Sequence, residues 1–171
     1  MDFLARLIAT FFGAGYFPVA PATFASALVA LAYFFLLGGA AGGGVHGDAA
    51  GAHGGPGRGL PGYPAAEASA IVALLPVAIW TAHRAEKTLG HDAHPIVIDE
   101  VVGQMIALWA VPRSWPWVFA AFLLFRLFDI WKPLGAREAQ RLPGGWGIVV
   151  DDVMAGAYAL GLLQLARRFF G

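Results

Sequence analysis

Long apolar runs dominate this chain, and the polar positions between them mark where its elements end. From Leu7 to Val45 there is no Asp, Glu, Lys or Arg. Gly13, Gly15, Pro18 and Pro21 interrupt that run early, so it cannot form one continuous helix. Its longest unbroken part, Phe24 to about Ala41, is close to the ~20 residues that span a bilayer. Four more apolar segments follow: Ala68–Ala82, Val101–Val111, Trp115–Phe125 and Val153–Ala166. Each alone is short for a span and would suit a buried helix of a soluble bundle. Trp80, Trp109, Trp115 and Trp117 lie near their ends, where membrane helices carry interfacial aromatics. Strand signal is thin: Ile96-Val97-Ile98 and Ile148-Val149-Val150 are short β-branched runs leading into acids. The pattern predicts an all-α fold in a single domain over 1–171. It would be a compact bundle of about five to seven helices, several membrane-embedded, with the active site at inter-helix loops and helix ends. The competing reading is a compact, very apolar soluble helical domain.

One stretch breaks this order. Residues 38–66 are mostly Gly, Ala and His, with Asp48 and Arg58 the only charges, and read as a low-complexity insert unable to form a packed core. The N-terminus lacks the pattern of a cleavable signal, because the apolar run continues far past a normal h-region.

Composition sharpens the picture. The 171 residues are 58% hydrophobic and 13% charged, with a mean hydropathy of +0.66. That is too apolar for a disordered chain and well below the ~25% charge of soluble domains. The 11 basic and 11 acidic residues cancel. Phosphate-backbone binding needs a surplus of Lys and Arg, so no nucleic-acid partner is expected. The absence of cysteine excludes disulfides, thiolate zinc sites and a cysteine nucleophile. His91 and His94 alone would suggest zinc, but carboxylates dominate their surroundings. His46 and His53 fall in the Gly-rich insert.

The charges that remain fall in two groups, His91–Glu100 and Arg126–Asp152. Acids this close to apolar helices are costly to desolvate unless paired or bound to a cation. Arg126, Asp129 and Lys132 are spaced i, i+3, i+6 and share a ~120° helical arc. Pro133 ends that helix, and Gly144, Gly145 and Gly147 read as a flexible turn. Asp151 and Asp152 then head the last apolar helix, where the dipole favours acids. Ala155, Gly156 and Ala159 leave a small-residue face on it for close helix approach. Taken singly, these features read as ordinary helix starts and salt bridges. Together, four Asp and a Glu with Arg and Lys suggest Mg²⁺-assisted phosphoryl chemistry. The loop Gly13–Ser26 adds Thr23 as an N-cap candidate, with Ser26 three residues on. Its free amides and hydroxyls would either cap the helix or hold an anion.

At these residues the chain resembles the phosphatidylglycerophosphatase A family. Three blocks carry the resemblance: G-x-G-x-x-P-x-A-P-x-T at Gly13–Thr23; I-V-x-D-E-x-x-G at Ile96–Gly103, followed by Gln104; and F-R-x-x-D-x-x-K-P at Phe125–Pro133 with G-G-x-G-I-x-x-D-D-x-x-A-G at Gly144–Gly156. Ala22 and Ala25 stand where the family's loop usually has Gly, and Leu134-Gly135 where it often has an aromatic and a second Pro. The resemblance implies a Mg²⁺-dependent lipid phosphatase of the bacterial inner membrane, converting phosphatidylglycerophosphate to phosphatidylglycerol and phosphate. It implies catalytic and metal carboxylates at Asp99, Glu100, Asp129, Asp151 and Asp152. Arg126 and Lys132 would bind phosphate, and Thr23 and Ser26 would help position it. The residues themselves exclude a Cys-x₅-Arg mechanism, and no D-x-D-x-[TV] block is present. Metal-assisted attack by water or an aspartyl-phosphate route remain. A Mg²⁺-dependent lipid phosphotransferase is a competing class, although its D-x₂-D-G-x₂-A-R pattern is absent; a non-catalytic membrane protein is another.

Alternating five spans across a membrane puts Arg6, Arg84, Lys87, Arg126, Lys132, Arg137 and Arg141 on the motif side. Arg58, Arg113, Arg167 and Arg168 fall on the other. That bias predicts a cytoplasmic active site.

Overall fold

The computed structural model describes residues 2–38, 63–90, 93–133 and 135–170. Most of the Gly-rich insert, with His46 and His53, lies outside the described residues, as do His91 and Leu134. The described fold is all-helical, with α1 Asp2–Ala9, α2 Pro21–Ala32, α3 Tyr63–Leu89, α4 Ile98–Leu108, α5 Trp115–Trp131, α6 Ala136–Ala139 and α7 Gly145–Phe170. A 3₁₀ turn, Ala14–Tyr16, links α1 to α2, and a π-helical segment, Tyr33–Gly38, extends α2. Seven α-helices match the expected class. Several boundaries do not match.

Neither β-branched run forms a strand. Ile96 and Val97 lead into α4, which Ile98 opens, and Ile148–Val150 lie inside α7, where Ile148 and Val149 are buried. α3 is far longer than its apolar core: it starts at Tyr63, inside the stretch assigned to the insert, and runs through Pro76. α7 begins at Gly145, so Asp151 and Asp152 lie two turns into the helix rather than at its head. The expected flexible turn at Gly145 and Gly147 is therefore helix. These glycines serve close approach. A Cβ on Gly145 would lie 2.1 Å from the Ile79 carbonyl oxygen, and one on Gly147 2.4 Å from that of Leu142.

α4 sits at the centre of the packing. Ile98, Val101, Val102, Ala107 and Leu108 are buried, and α2, α3, α5 and α7 all pack around it. It crosses α7 where glycine faces glycine. A Cβ on Gly156 would lie 2.4 Å from the Gly103 carbonyl oxygen, and one on Gly103 2.7 Å from that of Asp152. Ala155 and Ala159 are fully buried beside this crossing, so the small-residue face on α7 does what its spacing predicts.

α3 (Pro64–Leu89) and α7 (Gly145–Phe169) are long and apolar enough to cross a membrane. The outward faces of α3, α5 and α7 carry exposed Val72, Leu123, Leu127, Ile130 and Leu165, where a soluble bundle would place polar residues. Ion pairs gather at the two ends of these helices. At one end Arg113 meets Glu67 at 2.6 Å, and Arg167 donates to the Ala110 carbonyl at 3.1 Å. Arg84 meets Asp2 toward the other end, where the acidic motifs also lie.

Candidate active site

The path to α4 fixes where its acids point. The Val97 amide donates to the Ala9 carbonyl at 2.9 Å, and Gly15 lies against the backbone of Pro95, where a Cβ would come within 2.0 Å of the oxygen. The second glycine of the N-terminal motif thus admits the chain that leads into Asp99. α4 then opens with Asp99 and Glu100 in its first turn, where the helix dipole favours negative charge. Asp99 is buried, as are Asp151 and Asp152.

The glycine crossing brings α4 and α7 close enough for their acids to meet. One carboxylate oxygen from each of Asp99, Glu100 and Asp152 lies within 4.8 Å of the others. α5 supplies the next pair: Arg126 Nη1 meets Asp129 Oδ2 at 2.6 Å, and Asp129 is within hydrogen-bonding reach of Asp152. α5 ends at Lys132, whose backbone is left-handed (φ 48°). Its Nζ is hydrogen-bonded to Asp151 Oδ2. The expected shared face of Arg126, Asp129 and Lys132 is therefore split. Arg126 and Asp129 pair along the helix, while Lys132 leaves it to reach α7.

Burial, together with the charges of Glu100, Asp152 and Asp151, pushes the Asp99 carboxyl well above the usual carboxylate range. Glu100 is also raised, by burial first; the hydrogen bond from Asp99 and the charge of Arg126 oppose this, and Asp129 adds to it. Burial would lower Lys132, but its hydrogen bond to Asp151 and the surrounding acids outweigh that and hold it raised. Asp99 Oδ1, Glu100 Oε2 and Asp152 Oδ2 are shielded from solvent and lack hydrogen-bond partners among the described residues. Such a set of converging oxygens is suited to a hard divalent cation.

The N-terminal hydroxyls are placed differently from expectation. Ala20 is the N-cap of α2 and Pro21 its first residue, so Thr23 sits inside the first turn. Proline at that position needs no amide partner and sets the helical φ, which shifts the start forward. Ser26 is fully buried and donates to the Ala22 carbonyl at 2.9 Å. The amides of Gly13 to Phe17 donate within their own turn, so they are not free for an anion. His94 is exposed and joins no metal-capable group of three among the described residues.

Gln104 is a site neighbour that the sequence pattern does not single out. It follows Glu100 by one helical turn, is fully buried, and neither of its amide atoms has a partner among the described residues. The signal was its polarity in an otherwise apolar segment.

Fold and site define a class: a strongly apolar helical protein with five acids and two bases brought together at one end of its helices. The family model described as phosphatidylglycerophosphatase A matches residues 7–167, and the chain belongs to that family. It is 41% identical to a putative phosphatidylinositol-3-phosphatase of Bacteroides thetaiotaomicron, covering 99% of this chain and 98% of the relative. It is 33% identical to phosphatidylglycerophosphatase A of Escherichia coli K12, over 92% of this chain and 80% of that one. The Haemophilus influenzae phosphatidylglycerophosphatase A is 51% identical over 72 residues, 41% of this chain and 44% of the relative. No solved structure matches.

Proposed function

We propose that this protein is a Mg²⁺-dependent phosphomonoester hydrolase acting on phosphatidylglycerophosphate to give phosphatidylglycerol and phosphate. It works at the bacterial inner membrane with its site on the cytoplasmic side. The observation that carries the reading is the convergence of Asp99, Glu100 and Asp152 oxygens, buried and unpartnered, beside Arg126 and Lys132. Family membership supplies the substrate class.

Asp99, Glu100 and Asp152 would hold the metal, with Asp129 and Asp151 adjoining. Bound there, Mg²⁺ would neutralise phosphoryl charge and ease deprotonation of water. Arg126 and Lys132 engage the phosphoryl oxygens, each steadied by its own acid, Asp129 or Asp151. Water attacks phosphorus in line, the bond to the lipid alcohol oxygen breaks, and that oxygen takes a proton. A carboxylate of the cluster accepts the proton lost by the water.

The relative named for a phosphoinositide favours a second reading, in which the polyol carrying the phosphate is inositol. Both lipids share a diacylglycerol, a phosphodiester, a polyol and a terminal phosphomonoester. Phosphate release from each, with Mg²⁺ and with EDTA, tests both readings. Release from the glycerol lipid only with Mg²⁺ is expected. Preference for the inositol lipid would replace the first reading with the second. Release from neither would leave the acids as structural ion pairs.

A further inference from the structure

A groove of about 1000 Å³ runs between α5 and the C-terminal half of α7. Phe128, Tyr158, Leu162 and Leu165 line its length, and Lys132 and Arg137 stand with Glu138 along its border. Lys132 is common to the groove and the acidic cluster, because its ammonium is bonded to Asp151. The apolar side is open: Trp131, Leu162 and Leu165 are exposed. A second cavity, about 830 Å³ between α3 and α7, has no Lys or Arg among its lining residues. The α5–α7 groove therefore joins an apolar trough to two cations beside the candidate centre.

Resting on the phosphomonoester reading above, we propose that this groove seats an acyl chain of the lipid substrate, with Arg137 taking the phosphodiester that precedes the polyol. The chemistry runs in the order the groove provides. The terminal phosphate reaches Arg126 and Lys132. The phosphodiester, one polyol back, meets Arg137, which is exposed on α6. The diacylglycerol then lies over Phe128 and along Leu162 and Leu165. Lys132 is already paired with Asp151, so Arg137 is the cation that the groove adds for the second of the lipid's two phosphates.

Gly161 provides the test. It lines the groove, and a Cβ added there meets nothing within 4 Å, so Gly161→Phe fills the trough without disturbing the core. Leu165→Gln, at an exposed position, is the second variant. Phosphatidylglycerophosphate with long acyl chains is compared with a water-soluble short-chain form. Hydrolysis is followed with Mg²⁺, equilibrium binding in EDTA, and melting temperature for every variant. Both substitutions should lower the long-to-short ratio of kcat/KM and of binding by about tenfold, with melting temperature not lowered. Arg137→Gln should lower the preference for phosphatidylglycerophosphate over phosphatidic acid, which lacks the diester, by about tenfold. If the wild type hydrolyses both chain lengths and the ratios stay fixed, the groove assignment falls and the functional reading stands. If it hydrolyses neither, yet long-chain binding drops in Gly161→Phe, the groove stands and the hydrolase reading falls. An unchanged diester preference overturns the role of Arg137.

Discussion

At Asp99 the competition between burial and charge is sharpest. Its carboxyl is held well above the usual range by burial and by Glu100, so the folded, metal-free protein keeps a proton that the unfolded chain has lost. From about pH 4 up to the raised value, the native state binds more protons, and stability falls as pH rises. Metal binding must expel that proton, so added Mg²⁺ should flatten or reverse the slope. Melting temperatures across this range, with Mg²⁺ and with EDTA, check the sign; a slope that ignores Mg²⁺ argues against a metal at Asp99. Substitution gives an independent readout. Asp99→Asn, Asp129→Asn and Asp152→Asn each keep shape and remove charge, and losing such a contact commonly costs ~10²–10³ in rate. Excess Mg²⁺ should partly rescue at least one of them, whereas Lys132→Ala should respond little to it. Asp129→Asn should also lose stability, because Arg126 is then left without its acid. Near-normal turnover in Asp99→Asn and Asp152→Asn would end the metal assignment.

Between elements, the site depends on how closely α4 and α7 cross. A methyl group at Gly103 would meet the Phe125 ring at 2.5 Å and the Asp152 carbonyl at 2.7 Å. Neither the ring, which is fully buried, nor the backbone can yield freely. Gly103→Ala should cost about 1–3 kcal/mol and should also depress activity, since the helices can separate only by drawing Asp152 away from Asp99. Gly161→Ala is the control on the same helix: nothing lies within 4 Å of the new Cβ. It should stabilise by roughly 0.5–1 kcal/mol through helix propensity. Thermal or denaturant melts of the two variants should shift in opposite directions, and Gly103→Ala should lose Mg²⁺-dependent turnover beyond its loss of fold.

For the whole molecule, the ends of the long helices decide orientation. Arg113 meets Glu67 and Arg167 the Ala110 carbonyl at one end; Asp99, Asp152 and Lys132 belong to the other. A chain that spans the membrane with its site in the cytoplasm should expose positions 50 and 138 on opposite faces. Because the chain has no cysteine, a single Cys at each position can be labelled without background. Labelling of both from one side would refute the five-span topology. Shortening residues 42–61 should leave turnover nearly intact, because loop length adds little closure entropy. A large loss of specific activity in a folded variant would give that stretch a role.

The sequence by itself determined the class of the fold and the membership of the charged cluster. Apolar runs broken by Gly and Pro forced helices, because buried backbone must satisfy its own hydrogen bonds. Acids placed against such helices marked a site, since burying charge without a partner is so unfavourable. The small face at Ala155, Gly156 and Ala159 was legible because its spacing matches a helical turn. What the sequence left open was how far each helix extends and which groups would meet. Asp151 and Asp152 read as a helix start, yet α7 begins at Gly145, where glycine lets the helix press against the Ile79 carbonyl. Thr23 read as a cap, but Pro21 starts α2 earlier. Lys132 read as the next residue on the Arg126 face, but a left-handed turn sends it to Asp151. Gln104 stands in the sequence only as the residue after the second motif, and burial singles it out. At Gly145 and at Lys132 a contact between residues far apart in the chain overrode the local pattern. Periodicity records which face of a helix is apolar, and only packing records what that face meets.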